Sequence, residues 1–180
     1  LDYLEACFLA GREVSRHVVV TQDQHLAQPI QVRLPGVRME ARSSGPESAN
    51  DARPVTLSWD FGHPLFDYPT ALEFIEDTIL FNLNGHSDIS IEGFQIVRTG
   101  ELAAGVLWDP GDRLWFAKCN VDATSGSPEE ALLFLGIGVV DGKVLDQVHI
   151  EDNVFQGLIQ GMIAFASIWD GFESISQSTA

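Results

Sequence analysis

The chain predicts an α+β fold, a mainly antiparallel sheet of five to seven strands with three helices packed mostly on one face. Three observations predict it. Apolar residues recur at alternate positions in short runs between residues 30 and 150, the period of a half-buried strand. Those runs are punctuated by turn sequences such as Asp109-Pro110-Gly111-Asp112 and Asp141-Gly142. Three other stretches, 2–18, 70–83 and 152–170, carry apolar residues at three- and four-residue spacing, the period of an amphipathic helix. A length of 180 residues with 45% apolar and 20% charged content fits one globular domain, 1–180, too apolar for whole-chain disorder.

The first helix, 2–18, is read from Leu4, Cys7, Phe8, Gly11, Val14 and Val18 on one face, with Asp2 and Glu5 in its first turn. Ile30, Val32 and Leu34 alternate with polar neighbours as a strand, Pro35-Gly36 interrupts it, and Val37 and Met39 resume. Residues 41–54 hold no large apolar side chain until Val55, and read as a mobile loop. Val55, Leu57, Trp59 and Phe61 share one face of the next strand. Thr70 with Glu73 three residues on has capping-box spacing, and Leu72, Ile75, Ile79, Leu80 and Leu83 supply a helical stripe that Asn84-Gly85 would end.

A meander is expected next. Ile89, Ile91, Phe94 and Ile96 share a face across a bulge at Glu92-Gly93, Leu102 to Trp108 returns, and Leu114 to Val121 follows. Leu132–Val140 and Lys143–Ile150 read as a hairpin about Asp141-Gly142, since Gly136 and Gly138 each disfavour helix by about 1 kcal/mol. Val154, Leu158, Met162, Phe165 and Trp169 form the stripe of a closing helix, 152–170, and the polar tail 173–180 is expected to fray. No internal repeat is read from the sequence.

Charge is the most unequal property of the chain. Residues 1–53 carry six Arg against seven acids, whereas residues 54–180 hold four cations against nineteen acids, within a total of −16. Such a field repels nucleic acid and anionic membrane and speeds encounter with basic proteins. No basic stripe for nucleic acid is present, and no apolar stretch qualifies as a membrane span. Cys7 and Cys119 make neither a disulfide framework nor a metal knuckle, and read as buried thiols. The chain starts at Leu1 without a recognisable signal sequence, which leaves room for an upstream leader; a cytoplasmic location is the default expectation.

Motifs with chemistry are few. Asp60, His63 and His86 each sit at the end of a regular element, and imidazole with carboxylate is the pairing that general-base or metal chemistry needs. Their spacing dictates no site. Glu73, Glu76 and Asp77 share a face of the second predicted helix, the wet side of an amphipathic element. Asn84–Asp88 and Asp122–Ser127 are oxygen-rich but lack the alternating acids of a calcium loop. There is no nucleophile elbow and no glycine-rich phosphate cradle. No metal or cofactor is therefore expected.

The leading functional expectation is an acidic, non-catalytic protein-binding module, of inhibitor, immunity or assembly type, that recognises a basic partner. Its contact residues are expected among Asp109, Asp112, Asp122, Glu129, Glu130, Asp141 and Asp146. The rival is a small pocket enzyme, an isomerase, lyase or hydrolase using His63 or His86 with Asp60. A third reading is a homo-oligomeric structural component assembled through helix 152–170.

Overall fold

The computed structural model describes residues 1–43, 54–59, 79–99, 105–123, 134–138, 146–157 and 161–166. They form one short helix, α1 (Asp2–Leu9), and fifteen strands that pair only in parallel. The chain coils through three sheets in turn. The first rung is β1 (His17–Val20), β2 (Gln24–Leu26) and β3 (Ile30–Gln31), and the second is β4 (Arg38–Ala41), β5 (Thr56–Trp59) and β6 (Ile79–Asn82). The third is β7 (Ile89–Glu92), β8 (Gln95–Arg98) and β9 (Gly105–Trp108). The fourth is β10 (Leu114–Ala117), β11 (Asn120–Ala123) and β12 (Phe134–Gly138), and the fifth is β13 (Val148–Glu151), β14 (Val154–Gly157) and β15 (Gly161–Ala166). Each sheet takes one strand per rung: β1-β4-β7-β10-β13 (sheet A), β2-β5-β8-β11-β14 (sheet B) and β3-β6-β9-β12-β15 (sheet C). This is a five-rung parallel β-helix.

Such a coil turns alternation into a core. Every second residue of a strand points inward and meets its equivalent one rung away. In sheet A the register stacks Val18, Met39, Ile91, Phe116 and Ile150, and beside them Ile89, Leu114 and Val148. In sheet B it stacks Leu57, Ile96, Val121 and Phe155. Most of these side chains are buried, and Ile91, Ile96, Phe116 and Val121 are wholly so. Sheet C differs, for all four residues of both β6 and β9 are buried, so both faces of those strands are covered.

Corners between sheets need backbone that most residues avoid. From sheet A to sheet B the chain bends at Gly93, Lys118 and Asp152, all with positive φ (81°, 55° and 54°), at equivalent positions of three successive rungs. Asparagine and glycine do the same work between sheets C and A at Asn84 and Gly85. The Asn84 amide donates to the carbonyls of Val32 and Asn82 and to Gln31 Oε1, so one side chain ties the first two rungs together. Asn153 clamps rungs four and five: its Nδ2 donates to Phe116 O (2.9 Å), and its Oδ1 accepts from Cys119 N (2.8 Å).

The antiparallel α+β expectation is therefore overturned. Helix 2–18 shrinks to α1, which ends before the left-handed Gly11, and Val18 belongs to β1. Residues 79–82 of the second predicted helix are strand β6, while 70–78 lie outside the described residues. The third predicted helix, 152–170, contains β14 and β15, so among the described residues the segment expected to join an oligomer is strand and not helix. The supposed bulge at Glu92-Gly93 is a corner, and Asp109–Asp112 carries the chain into another sheet instead of folding it back. Strands β12 and β13 fall in different sheets, so they are not a hairpin; Asp141-Gly142 lies outside the described residues. Parallel pairing between β7, β10 and β13 is also an internal repeat, with 88–98, 113–123 and 147–157 superposed rung on rung. Most of the predicted loop 41–54 and the whole predicted tail 173–180 are likewise outside the described residues.

Candidate functional site

The corner from sheet C to sheet A is the first surface with a defined electrostatic character. Asp88, Arg113 and Gln147 stand at equivalent places just before β7, β10 and β13. Arg113 extends to Asp88 with two bonds, Nε to Oδ1 (2.5 Å) and Nη2 to Oδ2 (2.6 Å), the two-pronged geometry a guanidinium makes with a carboxylate. That hydrogen-bonded guanidinium holds the Asp88 carboxyl below its ordinary range. Arg113 is raised chiefly by Asp88, and the nearby charges of Asp112 and Asp146 push the same way. Asp88 is thus paired to Arg113, and Asp112 and Asp146, also exposed, stand on its own rung and the next, near enough to act on the charge of the one cation among the described residues of this corner.

Backbone bonds make that edge stiff. Gly85 N donates to Asp109 O (2.7 Å), Gly111 N to His86 O (2.9 Å) and Asp88 N to Asp112 O (3.0 Å). Gly111 is required by crowding, because a Cβ there would lie 2.5 Å from Gly85 O and 2.7 Å from Ser87 Oγ.

Of the seven expected contact residues, Asp109, Asp112 and Asp146 come together at this corner. Asp122 does not: it lies on β11 in sheet B, in register with Val97 and Gln156. Glu129, Glu130 and Asp141 lie outside the described residues, as do Asp60, His63, Glu73, Glu76 and Asp77. His86 is half-buried with its backbone fixed in the corner, its N donating to Leu83 O (2.9 Å). Two crevices of about 640 and 650 Å³ lie at the N-terminal end, and neither includes His86. The larger is floored by core residues of the first two rungs, Val18, Val20, Leu26, Ile30 and Met39. Among the described residues no group of three or more His, Cys, Asp or Glu is arranged to hold a metal, and no helix is long and apolar enough to cross a membrane.

The outer face of sheet A is the second surface, and it is one the sequence reading missed. Register aligns His17, Arg38, Ser90, Trp115 and His149 in one column, and Val19, Glu40, Glu92, Ala117 and Glu151 in the next. Trp115 is 36% exposed and stacks on His149, ring centroids 4.7 Å apart and planes tilted by 31°. Towards the other end, Glu40 accepts from Arg42 (3.0 Å), meets His17 Nε2 (2.9 Å) and lies 3.5 Å from Arg38; the Arg42 bond is the main cause of its lowered pKa. Arg38 also reaches Glu92 (3.6 Å), which accepts a 2.9 Å bond from Ser90. Superposing 88–98 on 113–123 and 147–157 in the sequence would have placed Ser90, Trp115 and His149 side by side.

The architecture and these two surfaces define the chain as a parallel β-helix with an acidic corner and a mixed aromatic and charged face. A scan of family models, a search of curated proteins and a search of solved structures found no match to it.

Proposed function

We propose that this chain is a non-catalytic binding module that recognises a basic protein surface through the corner between sheets C and A. The observation that carries this reading is the placement of Asp88, Asp112 and Asp146 on three successive rungs near Arg113, the one cation among the described residues of the corner, with Asp109 beside them. Backbone bonds between rungs fix the main chain at Asp88, Asp109 and Asp112 before any partner arrives, so little backbone ordering is needed on binding. Exposed carboxylates of this kind act mainly on association rate and on its salt dependence. The overall charge of −16 adds long-range attraction for a basic partner.

The test separates a local patch from bulk charge. Basic proteins captured from a lysate are each measured for association rate against ionic strength. Wild type is compared with two variants, the triple change Asp109→Asn, Asp112→Asn, Asp146→Asn and a control triple, Asp2→Asn, Glu13→Gln, Asp23→Asn. The corner triple is expected to slow association several-fold and flatten its salt dependence, with the control close to wild type. Equal effects from both triples would reduce the interaction to net charge and remove the corner as a recognition site.

A further inference from the structure

We infer that the outer face of sheet A binds an extended, uncharged polysaccharide, with Trp115 and His149 as the plate on which sugar rings rest. This site is separate in chemistry from the acidic corner.

Two observations lead there. Trp115 and His149 form a continuous aromatic surface across the fourth and fifth rungs, 4.7 Å between centroids, with the indole 36% exposed. An exposed flat ring offers an apolar face with a negative quadrupole, which suits the C–H face of a pyranose. Along the same column lie Ser90 and Arg38, and beside it Glu40, Glu92 and Glu151, groups that accept from and donate to hydroxyls. That mixture of a flat apolar anchor and a few fixed polar groups is what orients a polar ligand.

The polar groups are held in advance. Ser90 is bonded to Glu92 at 2.9 Å, and Arg38 spans Glu40 and Glu92 at 3.5 and 3.6 Å. The column advances by one rung, about 4.8 Å, which is close to the advance of one sugar residue along an extended chain. A polymer laid along the axis would therefore meet a new side chain with each residue.

Charge and backbone narrow the ligand. Three carboxylates, Glu40, Glu92 and Glu151, stand on this face against Arg38 and Arg42, both already engaged by Glu40, so a uronate or sulfated glycan would be repelled. An added peptide strand could pair only along the edge strands β1 and β13, beside His149 and not across Trp115, because β4, β7 and β10 are paired on both sides.

The test is affinity electrophoresis in native gels containing hydroxyethyl cellulose, mixed-linkage β-glucan, galactomannan, xyloglucan or dextran, with polygalacturonate as the charged comparison. At least one uncharged polymer is expected to retard the protein. Trp115→Ala should raise the dissociation constant at least tenfold and His149→Ala less, while Trp115→Phe should restore most of the binding. Asp112→Asn with Asp146→Asn should leave it unchanged. Both ring substitutions are at exposed positions, and far-ultraviolet circular dichroism checks that each variant is folded. The inference is overturned by no retardation in any uncharged polymer, by retardation that survives Trp115→Ala, or by binding to polygalacturonate alone. It is equally overturned if Trp115→Ala abolishes capture of basic proteins and leaves polysaccharide binding intact.

Discussion

At the scale of single residues, three positions show how the coil constrains its side chains. Gly111 sits where the corner of one rung presses on the carbonyl of Gly85 in the rung before it, and a methyl group has no room. Gly111→Ala is expected to cost about 1–3 kcal/mol, the range for overpacking a tight site, measured by urea unfolding. Asn153 bonds a donor and an acceptor of the neighbouring rung, so Asn153→Ala should cost about 1–3 kcal/mol by removing the side-chain acceptor of Cys119 N and one donor to Phe116 O. Cys119 is buried with its thiol held to Ala117 O, and burial pushes its pKa up to about 11. A thiol whose pKa is raised on folding binds its proton more tightly in the native state. Its stabilising contribution is full below about pH 9, falls as pH rises and is gone above about pH 11. The wild type should therefore lose roughly 2–3 kcal/mol more than Cys119→Ala between those limits, read as the difference between their urea midpoints. The same thiol should resist alkylation at pH 8 until the chain unfolds.

At the scale of elements, the sequence shows the strands better than it shows their partners. Val55 to Trp59, Ile89 to Ile96 and Leu114 to Val121 are legible because one buried face imposes a period of two, and most of those residues lie in strands, with corners at 93–94 and 118–119. Alternation is blind to direction, since parallel and antiparallel pairs bury the same residues. The corner at Gly93 reads as a bulge because a left-handed glycine bends a strand in either setting, whereas the corner at Lys118 falls inside what reads as one strand, 114–121. Val154 to Ala166 is read as helix because its apolar residues also fall four apart, while Gly157 and Gly161 each weaken helix by about 1 kcal/mol. Stacking on β11 and β12 decides for strand, a long-range gain that no local window contains. Candidate site residues fare alike: the carboxylates of the acidic corner stand out by composition, whereas Trp115 and His149 become neighbours only through the register. Because each inward residue packs against the rungs on both sides, Phe116→Ala in the fourth rung should cost about 3–5 kcal/mol. Val18→Ala, half-buried on the first rung, should cost less than half of that in the same urea titration.

At the scale of the whole molecule, the coil makes position along the axis a simple function of rung number. Residues far apart in sequence then form rows, which is how Asp88, Arg113 and Asp146 meet at one corner and Trp115 and His149 on one face. Stability in such an array is close to a sum of rung and neighbour terms. The two surfaces predict opposite responses to salt: corner-mediated binding weakens as ionic strength rises, and binding on the aromatic plate does not. Both depend on parallel register between β7, β10 and β13. The most direct measurement is a set of inter-strand nuclear Overhauser effects on isotopically labelled protein. Parallel register predicts amide-to-α contacts linking Ser90 and Ile91 with Trp115 and Phe116, and those in turn with His149 and Ile150. Close α-to-α contacts pairing residues 89–96 with 102–108 would mark an antiparallel meander and contradict the β-helix together with both surfaces built on it.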